Sequence, residues 1–181
     1  TGPVSQTRLR LIQECNMNTI ELLGEEETFR NIVERKITEF EDNKIDVIGD
    51  YAFYKCNTLT NVSFPNATSI GNEAFYECNK LTSVSFPLAT SIGNYAFRAC
   101  TGLTEITEES FPNVTSIGDN AFQTCKGLTS VFFPAATKIV SFAFQYCSAL
   151  TEASFPVVTS IGGVAFYNCT SLTTIYVGTE S

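Results

Sequence analysis

Residues 69–87 read SIGNEAFYECNKLTSVSFP, and the Ala-Phe-x-x-Cys at their centre recurs six times down the chain. The copies are AFYKC (52–56), AFYEC (74–78), AFRAC (96–100), AFQTC (121–125), AFQYC (143–147) and AFYNC (165–169). Successive phenylalanines are 22, 22, 25, 22 and 22 residues apart, and the cysteines keep the same steps. A fixed period in this range is the signature of stacked coils, each burying its apolar face only against its neighbours.

The copy from Leu81 shows one coil. In LTSVSF, Leu81, Val84 and Phe86 are apolar, and Ser83 and Ser85 are polar, which predicts a strand facing a core on one side. Pro87 has no N–H for a ladder and ends the strand. Ile92 returns to the core, and Gly93 supplies a turn. Ala96, Phe97 and Cys100 are spaced i, i+1, i+4, which predicts one helical turn with a common face. Equivalent strands start at Leu59, Leu81, Leu103, Leu128, Leu150 and Leu172, and Ile37 is a seventh start. A Thr follows each (Thr38, Thr60, Thr82, Thr104, Thr129, Thr151, Thr173), and a column of β-branched residues suits a parallel sheet in aligned register. Upstream, Phe29, Ile32 and Val33 make one apolar face of a helix over 25–36, with Glu25, Glu26 and Glu27 in its first turn. This helix is assigned to capping the first coil. The expected organisation is therefore an N-terminal segment and capping helix over 1–36, then a solenoid over 37–181.

With these residues in view, the chain resembles the BspA-like (treponemal-type) leucine-rich repeat family, whose pattern IGxxAFxxCxxLTSVxxP matches 69–87. The resemblance covers Ile37 to Val177. It implies an α/β solenoid, a right-handed array with a concave parallel sheet of about seven strands and short helical turns on the convex side. It also implies a bacterial or phage adhesion or protein-interaction module at a cell surface or on a virion. Two departures stand out: Val140 occupies a turn-glycine position, and three extra residues lengthen the strand region at Ile106–Phe111.

The seven cysteines are not read as disulfides. Side chains one coil apart lie about 4.8 Å from each other and point the same way, whereas a disulfide needs converging Cβ atoms about 3.5–4.5 Å apart. Cys56, Cys78, Cys100, Cys125, Cys147 and Cys169 are expected to form a buried column of free thiols, packing as small hydrophobes. A reduced column fits an intracellular or virion setting, although inaccessible thiols also persist outside cells.

The chain has 181 residues, a net charge of −8 and no histidine. Scattered, outnumbered basic residues argue against nucleic acid and anionic membrane surfaces as partners. No stretch reaches the roughly 18–20 apolar residues of a membrane span, and the first 20 residues hold no apolar run of signal-peptide length. Met17 is the only methionine, so residues 1–16 are upstream sequence, the remnant of a precursor, or an addition. Without histidine there is no Ser-His or Cys-His pair and no imidazole metal site. The cysteines form no C-x-x-C, and no phosphate-binding glycine loop is present. No enzymatic activity, metal or cofactor is expected. Glu105 and Glu152 share a groove, but two strands are counted between them, about 10 Å or more.

Candidate binding residues are the outward strand positions and the insertion: Ser83, Ser85, Glu105, Thr107, Glu108, Glu109, Ser130, Phe132, Glu152, Ser154 and Tyr176. Phe132 is an aromatic among small polar neighbours and hence a candidate anchor. The alternative is a solvated sheet face with an inert bulge. At the C-terminal coil, Phe166, Cys169, Leu172, Ile175 and Val177 are candidates for self-association, because an unpaired strand edge is a liability unless covered. Either another copy pairs there, or the protein continues, or a partner binds. Two functions follow: a non-enzymatic module docking a protein or cell-surface glycan, or a surface or virion assembly component that oligomerises through its C-terminal edge.

Overall fold

The computed structural model describes residues 39–41 and 46–178. The strands run in sequence as β1 (Glu39–Glu41), β2 (Val47–Ile48), β3 (Asn61–Ser63), β4 (Ser69–Ile70), β5 (Ser83–Ser85), β6 (Ser91–Ile92), β7 (Glu105–Ile106), β8 (Ser116–Ile117), β9 (Ser130–Phe132), β10 (Lys138–Ile139), β11 (Glu152–Phe155), β12 (Ser160–Ile161) and β13 (Thr174–Val177). Every pairing is parallel and joins like positions of adjacent coils, as in Asn61↔Ser83 and Ile92↔Ile117. A seventh long strand is present, with Glu39 of β1 opposite Asn61 of β3, while Ile37 and Thr38 lie outside the described residues. The helix expected over 25–36 and the boundary at 36/37 lie outside the described residues.

The fold expectation needs correcting. Among the described residues there is no helix, so the molecule is a β-solenoid and not an α/β array with helical turns. The turn side of each coil carries two non-glycine residues with positive φ, four apart: Tyr51 and Lys55, Glu73 and Glu77, Tyr95 and Ala99, Asn120 and Thr124, Phe142 and Tyr146, Val164 and Asn168. A left-handed residue breaks a right-handed helix. The amide hydrogen bonds alternate in consequence. Ala52, Tyr54 and Cys56 donate three residues back within their own coil, while Tyr51, Phe53 and Lys55 donate to Asn72, Ala74 and Tyr76 of the next coil, at 2.9, 2.7 and 2.7 Å. The turn side is thus tied between coils much as a sheet is.

The seven long strands do not form one sheet. They divide into β1-β3-β5 and β13-β11-β9-β7. The break lies at the insertion, where β7 is cut to two residues and Thr107–Ser110 closes on itself. Thr107 N–H donates to Ser110 Oγ at 3.1 Å, and Ser110 N–H returns to the Thr107 carbonyl at 3.1 Å. A third sheet, not foreseen from the sequence, β12-β10-β8-β6-β4-β2, runs beside them as two-residue strands.

Two columns of stacked phenylalanines fill the interior. Phe53, Phe75, Phe97, Phe122, Phe144 and Phe166 follow each other at centroid separations of 5.0–5.4 Å. Phe64, Phe86, Phe111, Phe133 and Phe155 do so at 5.5–5.8 Å. Each buried ring contributes about 1.5–3 kcal/mol by leaving water, and such stacking adds about 0.5–1.5 kcal/mol per pair.

The cysteines form one column, buried from Cys56 to Cys147, with Cys169 half-buried. Each thiol from Cys78 onward donates to the carbonyl of the phenylalanine one coil back, Cys78 to Phe53 at 3.0 Å and Cys100 to Phe75 at 3.1 Å. The Phe53 carbonyl also accepts the Cys56 amide, so both its lone pairs are used. The threonine columns work similarly: Thr82, Thr129, Thr151 and Thr173 hydroxyls donate to the Thr60, Thr104, Thr129 and Thr151 carbonyls. No such bond joins Thr104 to Thr82, which matches the sheet break.

Candidate protein-interaction surface

The long strands point alternate side chains outward, and their register arranges these in rows across the coils. One row runs Glu105, Ser130, Glu152, Thr174. Two residues further along the strands, a second row runs Phe132, Ser154, Tyr176. The inward positions between them, Ile106, Val131 and Ala153, are buried and fix the outward side chains to a rigid base. Strand spacing is about 4.8 Å. Only β9 lies between β7 and β11, so Glu105 and Glu152 are about 9.6 Å apart at the backbone; the count of two intervening strands is corrected to one.

These rows border one open depression of about 420 Å³, lined by Glu105, Thr107, Glu108, Ser130, Phe132, Glu152, Ser154 and Tyr176 together with the inward positions. Eight of the eleven binding candidates meet there. Phe132 is half-buried, and Tyr176 is 50% exposed. Ser83, Ser85 and Glu109 fall elsewhere, in a neighbouring depression of about 300 Å³ bordered also by Glu105, Thr107 and Ser110. The closed turn of the insertion stands between the two, with Glu108 on one side and Glu109 on the other. Glu105, Glu108 and Glu152 are exposed, and none of their carboxylates has a hydrogen bond or ion pair among the described residues.

The sequence reading overlooked the turn side. Tyr54 and Tyr76 stack there at 4.9 Å, and Arg98 lies over Tyr76 at 5.3 Å and donates to its hydroxyl at 2.8 Å. Further along, Thr124, Lys126, Tyr146, Ser148, Asn168 and Thr170 border an open hollow of about 580 Å³. The variable positions of Ala-Phe-x-x-Cys, which carry Tyr54, Tyr76, Arg98 and Tyr146, were the available signal. At the last coil, Phe166, Cys169 and Leu172 are half-buried, whereas Ile175 and Val177 are exposed. Their counterparts Ala153 and Phe155, one coil earlier, are buried.

Burial raises the thiols' affinity for their protons: Cys100 titrates well above the ordinary range and Cys125 is pushed up to about 12. A neutral thiol is neither a nucleophile nor a metal ligand. The sequence has no histidine, and among the described residues no group of three His, Cys, Asp or Glu is placed to hold a metal ion.

Comparison with curated proteins finds no match. Solved structures do match. The Treponema pallidum leucine-rich repeat protein TpLRR is 28% identical with a TM-score of 0.73, over 78% of this chain and 70% of that one. A leucine-rich cell surface protein from Faecalibacterium prausnitzii A2-165 is 26% identical with a TM-score of 0.62, over 80% of this chain. This chain spans 48% of the latter's length. The profile of the BspA type leucine-rich repeat region matches in six copies, over residues 21–136 and 68–180. Six copies covering most of the sequence, on a coil with repeated phenylalanine, cysteine and threonine columns, place this chain in the BspA-type leucine-rich repeat family.

Proposed function

We propose that the chain is an adhesion module of a bacterial cell surface, and that it takes a protein partner on the long-strand face between β7 and β13. Family membership supports a protein-interaction surface in general. The description of the Faecalibacterium relative as a cell surface protein supports the location. The observation that carries the choice of face is the convergence of eight pattern-derived residues on one depression. An aromatic anchor, a second exposed aromatic and unpaired polar groups on a stiff base are the elements from which interface hot spots are built. Stiffness matters because a preorganised surface loses little conformational entropy on binding.

A pull-down from host and bacterial surface extracts tests this reading. The immobilised wild-type chain is compared with Ser130→Lys/Ser154→Lys, which fills the centre of the face without touching the core. Partner capture by the wild type and its loss in the variant supports the reading. Partners retained equally by both would place recognition elsewhere and overturn it.

A further inference from the structure

Resting on the long-strand face as the binding surface, we infer that its depression recognises a cationic segment in polyproline II conformation, with a Lys or Arg at every third residue. Charge and spacing both lead there. Three carboxylates, Glu105, Glu108 and Glu152, border the depression, and no Lys or Arg does. None of the three is neutralised by a neighbour among the described residues.

The aromatics are placed between the charges. Along the sheet the outward residues alternate: Glu105 on β7, Phe132 on β9, Glu152 on β11, Tyr176 on β13. Phe132 is diagonal to both Glu105 and Glu152, and such neighbours are about 7–8 Å apart at the backbone. A cation lodged between a carboxylate and the adjoining ring is drawn by the charge and by the ring's electron-rich face together. Such a cleft occurs twice, about Phe132 and about Tyr176, so two cations are accommodated side by side.

The repeat distance selects the ligand's conformation. Equivalent clefts recur at two strand spacings, about 9.6 Å. A polyproline II helix rises about 3.1 Å per residue with three residues per turn, which brings every third side chain to the same edge at about 9.3 Å. A β-strand presents same-face side chains at about 6.6 or 13 Å and misses the interval. The small Ser130 and Ser154 leave the floor between the clefts low enough for a backbone to cross the strands.

The test uses acetylated peptides of four Pro-Pro-Arg triplets, with Pro-Pro-Gln triplets and alternating Arg-Thr as controls, titrated by calorimetry. The Pro-Pro-Arg peptide is expected to bind saturably and at least ten-fold more tightly than either control. Its affinity should fall at least ten-fold in Glu105→Gln/Glu152→Gln, and about two- to five-fold in Phe132→Ala. Raised salt should weaken it further. Equal binding of the neutral peptide, equal binding of Arg-Thr, no saturable binding, or indifference to the glutamate substitutions would each overturn the inference. A pull-down partner lost on Ser130→Lys/Ser154→Lys, combined with any of those results, leaves the interaction face standing and removes only the cationic ligand. Failure of both removes the face as well.

Discussion

Replacement of Gly93 by Ala is a perturbation whose sign discriminates between two kinds of glycine. At a position with ordinary backbone angles and open surroundings, Gly→Ala stabilises by about 0.4–1 kcal/mol, because the unfolded chain loses freedom. Gly93 has no positive φ that would demand glycine, but a Cβ built there falls 2.6 Å from the Gly71 carbonyl carbon and 2.7 Å from the Asn72 nitrogen. Both are backbone atoms of the preceding coil, so no side chain can swing aside. The coils themselves must part. Val140 shows the response, since it carries a Cβ in the same column. Its amide reaches the Ile117 carbonyl at 3.3 Å, where Gly71, Gly93 and Gly118 make the equivalent bond at 2.8–2.9 Å. The neighbouring Asn120 to Ser141 bond is also long, at 3.2 Å against 2.8–2.9 Å elsewhere. Overpacking of this kind costs about 1–3 kcal/mol. With two weakened ladder bonds, Gly93→Ala should lose about 2–3 kcal/mol, and at about 2–4 °C per kcal/mol for this size the midpoint should drop by roughly 4–12 °C. Gly163→Ala is the matched control: nothing lies within 4 Å of its Cβ, and it should be neutral or slightly stabilising. Thermal unfolding followed by far-ultraviolet circular dichroism reads both. A Gly93→Ala protein as stable as the wild type would refute the close approach of the coils.

Other expectations follow from the interior. Phe122 stacks between Phe97 and Phe144 at 5.2 and 5.4 Å, so Phe122→Ala should cost about 3–5 kcal/mol in urea unfolding; a loss below 1 kcal/mol would contradict the stack. The folded Cys125 thiol, pushed up to about 12, holds its proton more tightly than the unfolded one at about 8.5. That stabilisation is fully present below about pH 8.5 and is lost as pH rises towards 12, by about 1.4 kcal/mol per pH unit for each such thiol. Urea midpoints should therefore be flat to pH 8 and fall above pH 9, less steeply in Cys125→Ala; unchanged slopes would argue against a buried neutral thiol. In a Cys15→Ser background, iodoacetamide followed by peptide mass mapping should modify the half-buried Cys169 first and spare Cys78, Cys100 and Cys125 until the protein unfolds; prior labelling of Cys100 would refute the buried column.

Much of this architecture was legible because repeat spacing reports directly on stacking. Leucine and threonine positions fixed the parallel register, and period-2 alternation separated the buried Val84 from the outward Ser83 and Ser85. The turn side was misread for a physical reason. Ala96, Phe97 and Cys100 have the spacing of a helical face, and the left-handed residues beside them are Tyr95 and Ala99, neither of which favours positive φ. Hydrogen bonds to the next coil impose that conformation, and no local pattern encodes them. The sequence alone suggests turn flexibility for Gly93, whereas the structure requires close approach. The six-stranded sheet has no sequence signature because its strands are two residues long. On the long-strand face, alternation located the outward residues correctly, but the insertion's effect on strand pairing depended on how Thr107 and Ser110 close their turn. That closure split the candidates between two depressions.

The claim that recognition belongs to the long-strand face is tested most directly by titrating the isotope-labelled chain with the pull-down partner and mapping amide shift changes. The account predicts changes concentrated at Glu105, Ser130, Phe132, Glu152, Ser154 and Tyr176, with Tyr54, Tyr76 and Arg98 on the turn side unmoved. Shifts centred on the turn side, with β7 to β13 silent, would contradict it.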